Sequence, residues 1–519
     1  MVSASTCRQL SAAAVISLAL TTNASAACYN SSSPTSVAPR VTLDNRLTLL
    51  GLVNPSTPNV AEFLGIPYAT APVDELRWAP PQAYEPRNGT IINATATPPS
   101  CFQYSTSNPT LLTKELPGFV VGSAGNAGFR EDCLTVSVYA PAEAIASNSS
   151  LPVIIWVYGG GFATGGQDVA YQIPSNWIER SQEHIVVSFN YRINIFGYPN
   201  AAGLREQNLG ILDQRLAIEW AQANIAKFGG NPDQMTLWGH SAGSVAVDYY
   251  NFAYPSDPIV KGLIMNSGTA HLDQLLSPDS DYSNFTWVAS NVGCANQTNA
   301  AAELACMRKV PAAVIEDFVE KYEDSGVSPP MTFAPIVDER IVFGNYTERA
   351  AMGILSTLPA IIGMDANEGM FLAPYDPAGS NQTIATQIFY AYFWCPATKS
   401  TYERLAANRT TYRHFYAGNF TNVSQNPWIG AYHSSELPLI FGTDCLNGES
   451  TTFEKEVSDV MQDAYLAFAR DPVKGLEEVG WPVYESKGGL VREFAEGGIA
   501  AKMVPLTEIE DGCASMGLA

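Results

Sequence analysis

Charge is scarce in this 519-residue sequence. Asp, Glu, Lys and Arg make up only 15% of it, with 28 Lys and Arg against 50 Asp and Glu. The formal net charge of −22 opposes phosphate backbones and anionic lipid headgroups, so no nucleic-acid partner is expected. Histidine is rarer still, five in all, and no two cysteines form a C-x-x-C pair. The residues from which zinc or haem sites are built are thus nearly missing, and neither metal nor cofactor is expected. No repeat of solenoid or propeller period is visible, and the Ser/Pro-rich stretch 31–39 is the one low-complexity tract. No apolar run reaches the roughly 20 residues that a membrane-spanning helix needs, so no stable membrane span is expected.

Hydrophobic residues, in contrast, make up 46% of the chain and aromatics 11%, enough to fill a large core. Residues 1–26 read as a signal peptide: one cation at Arg8, a short apolar stretch from Leu10 to Leu20, and Ala24-Ser25-Ala26 as an A-x-A cleavage pattern. Eleven N-x-S/T sequons follow it, at Asn30, Asn88, Asn93, Asn148, Asn284, Asn296, Asn345, Asn381, Asn408, Asn419 and Asn422. Removing Cys7 with the leader reduces nine cysteines to an even number, as a disulfide-bonded chain requires. The expectation is a secreted, extracellular glycoprotein. Length alone suggests about three domains, but no linker divides residues 27–519, which are read as a single domain with long insertions.

Several short apolar runs are continuous rather than alternating, as strands buried on both faces should be: 153–158, 185–189, 235–238, 263–265 and 359–362. Helical spacing lies between them, at 213–228 and 457–468. Strand and helix alternate, which predicts an α/β fold around a mainly parallel sheet.

The sharpest chemical signal is Gly239-His240-Ser241-Ala242-Gly243, directly after the strand-like 235–238 and before a helix-like 244–251. So tight a strand-to-helix turn strains its central residue and lifts the Ser241 hydroxyl above the sheet. A serine hydroxyl needs a base to take its proton and an acid to orient that base. Downstream histidines are His271, His414 and His433. His271 leaves little room for an intervening acid, and His414 sits in the alternating, strand-like 412–416, where a half-buried structural role is the simpler account. His433 opens a loop-like segment and leads. For the acid, Asp365 and Glu368 both follow the apolar run 359–362 and compete. Three glycines, Gly159-Gly160-Gly161, end the run 153–158 and suit an oxyanion hole completed by the backbone N–H of Ala242.

These residues resemble the type-B carboxylesterase/lipase family, the α/β hydrolases that include fungal lipases, carboxylesterases and cholinesterases. The resemblance extends from about Pro39 to the C-terminus, through Phe63-Leu64-Gly65-Ile66-Pro67-Tyr68-Ala69, Leu76-Arg77-Trp78, Glu131-Asp132-Cys133-Leu134, Asn208-Leu209-Gly210-Ile211-Leu212-Asp213-Gln214 and Phe228-Gly229-Gly230-Asn231-Pro232. It implies an α/β-hydrolase fold, a large and mostly parallel central sheet with helices on both faces. It implies Ser241 as nucleophile, His433 as base and Glu368, rather than Asp365, as acid. Gly160, Gly161 and Ala242 would form the oxyanion hole, with Ser267 supporting the triad from behind. Cys101 with Cys133 and Cys294 with Cys306 match family disulfides, Cys395 with Cys513 matches one of the cholinesterases, and Cys28 and Cys445 are left to pair. The implied activity is hydrolysis of a small-molecule or lipid ester, with two alternatives: an interfacial triacylglycerol or sterol-ester lipase, and an inactive adhesion or binding member.

Two departures stand out. His240 replaces the glutamate usual beside the nucleophile, and is expected to point away from the Ser241 hydroxyl and repack a buried polar contact. The loop between Cys101 and Cys133 contains no Trp, which argues against cation–π recognition of a quaternary ammonium group. In the lipase branch this loop is a lid, and Leu111 to Val120 is apolar enough to cover a site.

Overall fold

In the computed structural model, the described residues are 38–515 apart from 105, 117, 119–127, 273–278, 328–329, 487 and 506. The expected leader, Asn30, Cys28 and part of the Leu111 to Val120 segment lie outside them.

Eleven strands form one sheet: β1 (Leu52–Val53), β2 (Val60–Pro67), β3 (Thr135–Pro141), β4 (Leu151–Val157), β5 (Ile185–Phe189), β6 (Gly230–His240), β7 (Gly262–Asn266), β8 (Ala360–Asp365), β9 (Thr411–Tyr416), β10 (Leu490–Glu496) and β11 (Ile499–Pro505). Their spatial order is β11-β10-β9-β8-β7-β6-β4-β5-β3-β2-β1. From β5 through β4, β6, β7, β8 and β9 to β10 every pairing is parallel; β11 at one margin and β3, β2 and β1 at the other run antiparallel. All five continuous apolar runs enter this sheet. Every residue of β5, β7, β8 and β9 is buried, because helices cover the sheet. Tyr412 to Tyr416 therefore does not alternate between core and solvent as its pattern suggested, and His414 is fully rather than half buried.

The helices follow from the same logic. Helix α1 (Leu209–Asn224) starts one turn before the predicted segment, and Ile225–Phe228 tightens to a 3-10 turn that Gly229 ends at φ 84°. Asp213 on α1 pairs with Arg192 after β5 at 2.7 Å, both side chains buried, and also accepts the Arg192 backbone N–H at 3.0 Å. Removing one member of so buried a pair costs about 3–5 kcal/mol. Helix α2 (Ala242–Ala253) leaves the end of β6. A long C-terminal helix, Thr452–Arg470, opens with a reciprocal capping box between Thr451 and Glu454 and buries Val457, Met461, Tyr465 and Phe468. Each such apolar side chain contributes about 2 kcal/mol by leaving water.

Between β7 and β8 the chain leaves the sheet and builds a helical cap: α3 (Ser283–Asn291), α4 (Ala300–Met307) and α5 (Ala312–Asp324). Its apolar residues, among them Phe285, Leu304, Met307, Ile315 and Val319, form a second hydrophobic cluster around Trp78, apart from the core of the sheet. Disulfides join Cys101 to Cys133, Cys294 to Cys306 and Cys395 to Cys513, as the resemblance implied. Cys445 is disulfide-bonded as well.

Candidate active site

Strand β6 ends at His240 and α2 begins at Ala242, so Ser241 alone makes the turn. Its φ of 55° and ψ of −125° are unfavourable for a residue with a Cβ, a strain of about 1–3 kcal/mol that the surrounding structure must hold. The turn closes because its neighbours lack side chains. A Cβ on Gly239 would lie 2.3 Å from the Gly243 carbonyl oxygen, and one on Gly243 would lie 2.1 Å from that of Val157. The Val245 N–H donates to the Ser241 carbonyl at 2.9 Å, so Ala242 falls in the first turn of α2, whose N–H groups have no acceptor within the helix. Ser241, Ala242, Gly160 and Gly161 line one cavity of about 470 Å³, together with His240 and His433.

Two strands away in the sheet, beyond β7, β8 ends at Asp365 and the chain tightens into a 3-10 turn over Glu368–Phe371. The Asn367 N–H donates to the Ala431 carbonyl at 2.8 Å, fastening this turn to the loop that carries His433. His433 Nδ1 lies 2.5 Å from Glu368 Oε2, and Glu368 Oε1 accepts the Asp365 N–H at 2.9 Å. Phe371 stacks on the imidazole at 4.4 Å and 9°, and Phe393 packs on it at 5.1 Å. Burial pushes Glu368 up to about 8 and His433 down to about 3. Burial thus keeps the His433 imidazole uncharged, the form that can accept a proton as a base. Ser267, buried at φ 59°, lies beside Glu368 and favours its charged form without a hydrogen bond of regular geometry.

The competing residues are placed elsewhere. Asp365 is fully buried next to Glu436, and burial followed by the neighbouring Glu436 and Glu368 carboxyls holds its pKa well above the usual carboxylate range. His414 Nε2 meets the Tyr465 hydroxyl at 3.1 Å, and His271 Nε2 lies 2.7 Å from Glu403 Oε2; neither lines the cavity. His240 faces Glu436, but its Nε2 stays 3.9 Å from Oε1 without a hydrogen bond, so the expected polar contact is not made. It also lines the cavity, with its ring 4.5 Å from that of His433.

Sequence reasoning missed most of the remaining wall. Phe371, Phe393 and Leu372 come from β8 onward, while Val319, Glu323, Met331, Thr332, Phe333 and Ala334 come from α5 and the segment after it. Phe371 stands only three residues after Glu368 and could have been suspected; the cap residues carry no motif. Leu112, on the short helix Leu111–Glu115, also lines the cavity, so the described part of the expected lid does reach it.

Ser241 on its strained turn, His433 bonded to the buried Glu368, and the backbone of Gly160, Gly161 and Ala242 thus share one cavity, the set of groups that nucleophile-elbow hydrolysis requires. Comparison with known proteins agrees. The sequence profile of the carboxylesterase family matches residues 39–390 and 376–502. A chlorogenic acid esterase of Aspergillus niger is 42% identical over 89% of this chain and 92% of its own length. Secreted lipase 5 of Gibberella zeae is 42% identical over 83% of this chain and 85% of its own. The acetylcholinesterase of Bungarus fasciatus is 26% identical over 82% and 78%. The chain belongs to the carboxylesterase family, and it is a carboxylic ester hydrolase. No helix among the described residues is long and apolar enough to cross a membrane.

Proposed function

We propose that ester hydrolysis proceeds through an acyl-enzyme on Ser241, with His433 as general base and Glu368 orienting it. The observation that carries this reading is the 2.5 Å bond between Glu368 and His433 Nδ1, on the cavity where Ser241 is held in its strained turn. His433 takes the Ser241 proton as the oxygen attacks the ester carbonyl. The imidazolium so formed is stabilised by Glu368, and the oxyanion by the N–H groups of Gly160, Gly161 and Ala242. His433 then protonates the leaving alcohol, and water repeats the sequence on the acyl group. Ser267 supports Glu368 from behind.

The preferred substrates are soluble carboxylic esters. The second reading, an interfacial lipase, is favoured by Leu112, which extends the apolar segment after Thr110 into the cavity wall. Action outside the cell, after loss of residues 1–26, is supported by the disulfides, by the names of the secreted relatives, and by the exposure of Asn88, Asn93, Asn148, Asn296, Asn345, Asn381, Asn408 and Asn419.

The test is hydrolysis of p-nitrophenyl esters from acetate to palmitate, through each ester's solubility limit, beside Ser241→Ala. Ser241-dependent turnover of short, dissolved esters is expected. Long-chain activity that rises only above the solubility limit would establish the lipase reading instead. No turnover of any ester would overturn the mechanism and leave the binding-protein alternative.

A further inference from the structure

The chemistry leaves one part of the cavity unused. The wall opposite the sheet is supplied by the cap, and its apolar residues, Val319, Met331 and Phe333, are interrupted by Glu323 and Tyr104. No lysine or arginine is among the described residues lining the cavity. Glu323 belongs to α5, whose earlier turns bury Ile315, Glu316 and Val319 against the rest of the cap. Its Oε1 accepts the Met331 N–H at 2.7 Å, which fixes the carboxylate against the segment that also carries Thr332 and Phe333. Partial burial holds its pKa above the usual carboxylate value, the Met331 N–H opposes this, and Asp324 adds to it. Tyr104, from the loop after Cys101, stands within the field of Glu323, Glu316, Asp324 and Glu320, and burial and these carboxyls push it up to about 12. Its hydroxyl therefore remains neutral.

We infer that this wall makes the enzyme selective for uncharged esters carrying a hydroxyl group remote from the ester bond, such as a phenol, with Glu323 as the acceptor. The inference deepens the ester-hydrolase reading above and rests on it. A carboxylate only accepts hydrogen bonds, so a substrate group that satisfies it must donate one. A hydroxyl does so, and it also pairs with the neutral hydroxyl of Tyr104. A carboxylate-bearing substrate brings like charge to a partly desolvated wall without a cation to offset it. A quaternary ammonium group has no N–H to donate and prefers open aromatic faces. Here Phe371 already gives a face to His433, and Phe393 also packs against that ring. Ser241 and Glu323 share the cavity with Phe371, Phe393, Leu272, Met331 and Phe333, an apolar lining that suits a ring or short chain between ester and hydroxyl.

The experiment uses methyl 3-phenylpropanoates with hydrogen, hydroxyl, carboxylate or trimethylammonium at the para position. The leaving group is constant, and the saturated linker keeps the substituent from altering the carbonyl. A second series, 2-phenylethyl acetates with the same substituents, places the ring on the alcohol side. We expect kcat/KM in at least one series to favour hydroxyl over hydrogen, and hydroxyl over carboxylate by roughly 10- to 100-fold, the range for a hydrogen bond to a charged group. Glu323→Gln retains a carbonyl for the Met331 N–H but removes the charge; it should reduce the hydroxyl-to-carboxylate ratio to within about 3-fold of unity. Glu323→Lys should invert that ratio. Turnover of p-nitrophenyl acetate, which carries neither a hydroxyl nor a carboxylate substituent, reports separately on fold and catalysis and should remain Ser241-dependent in both variants. Ratios unchanged by both substitutions in both series, or a preference for trimethylammonium over hydroxyl, would overturn the inference while leaving the hydrolase reading intact.

Discussion

The two walls of the cavity are built by different means. On the sheet side, Ser241, Glu368, Gly160 and Gly161 follow the C-terminal ends of parallel strands whose every neighbour is hydrogen-bonded, so the backbone itself fixes where each of them lies. On the cap side, Val319, Glu323 and Phe333 project from a helix and a connecting segment that pack around their own small cluster. Chemistry needs atoms held to fractions of an ångström, and parallel strands supply that. Selectivity needs only a shape and a charge, which a cap can alter without disturbing the strands. The comparison predicts that changes on the sheet side abolish turnover, whereas changes on the cap side redistribute it among substrates.

The largest effect should come from the carboxylate behind His433. Glu368→Gln keeps the shape of the side chain but no longer stabilises the imidazolium. It should lower kcat for a short ester by about 10⁴-fold, the scale seen when a triad acid becomes an amide. Asp365→Asn, three residues away and equally buried, should change kcat by less than about 10-fold, because Asp365 lies beside Glu436 and not His433. Equal losses in the two variants would mean that the acid has been assigned to the wrong side chain.

That pair also shows how far the sequence could be read. The apolar runs and the glycines around Ser241 are constraints on the backbone, and backbone constraints leave motifs: the sheet and the turn at Ser241 were legible in them. The choice between Asp365 and Glu368 was not legible from local pattern, since both follow the same strand; it depends on Asn367 pairing with the loop at Ala431, a contact between segments far apart in sequence. Family resemblance, not spacing, pointed to Glu368. His240 shows the opposite limit. Its chain position did not place it on the cavity, because the packing of Phe371, Phe393 and His240 around His433 is set by side-chain volume, which leaves no periodic trace. The cap wall was invisible for the same reason.

Acid should next load the histidines of the sheet side, whereas alkali loads buried carboxyls in both regions, Glu316 in the cap and Asp365 and Glu368 on the sheet side. On the sheet side, burial drives His184, His240 and His414 down to about 3 from an ordinary 6.5. Between these values the unfolded chain binds more protons, so the stability they contribute is full above pH 6.5 and is lost as pH falls. On the cap side, Glu316 is buried, its Oε1 accepting from Asn194 at 2.9 Å, and burial raises it from 4.5 to about 8. Here the folded chain binds the extra proton, so stability is full below about pH 4.5 and is lost as pH rises through 8. The melting temperature should therefore be highest at mildly acidic pH. Glu316→Gln keeps the acceptor for Asn194 and should flatten the alkaline limb, recovering on the order of 4 kcal/mol by pH 8. An alkaline limb unchanged in that variant would show that the cap does not set it.

The disulfide between Cys294 and Cys306 closes a short loop within the cap, across a sequence separation of 12. Replacing both cysteines by serine should cost about 3 kcal/mol of stability. If cap and sheet are as independent as their separate clusters suggest, kcat for a short acetate ester should change by less than about 3-fold. Discrimination among ring-substituted esters should weaken, since α5 packs in the same cluster as Cys294 and Leu304. A parallel collapse of acetate turnover would mean that the cap holds the triad as well.

The smallest effect should come from two helix caps chosen as a matched pair. Asn299 caps α4 by accepting the Ala302 N–H at 2.9 Å, and Thr451 caps the helix Thr452–Arg470 through its reciprocal bonds with Glu454. Replacing either by alanine should cost about 1 kcal/mol. The distribution of that loss should differ. Thr452–Arg470 buries Val457, Met461, Tyr465 and Phe468 in the core of the sheet, so it opens only when the whole sheet does, and Thr451→Ala should lower protection against amide exchange throughout the slowest-exchanging strands. Helix α4 buries only Leu304 and Met307 and belongs to the smaller cluster. Asn299→Ala should therefore accelerate exchange in the cap by about 5-fold and leave β6 and β7 unchanged. Faster exchange in β6 from Asn299→Ala would make cap and sheet a single cooperative unit, in which selectivity could not be altered without disturbing catalysis.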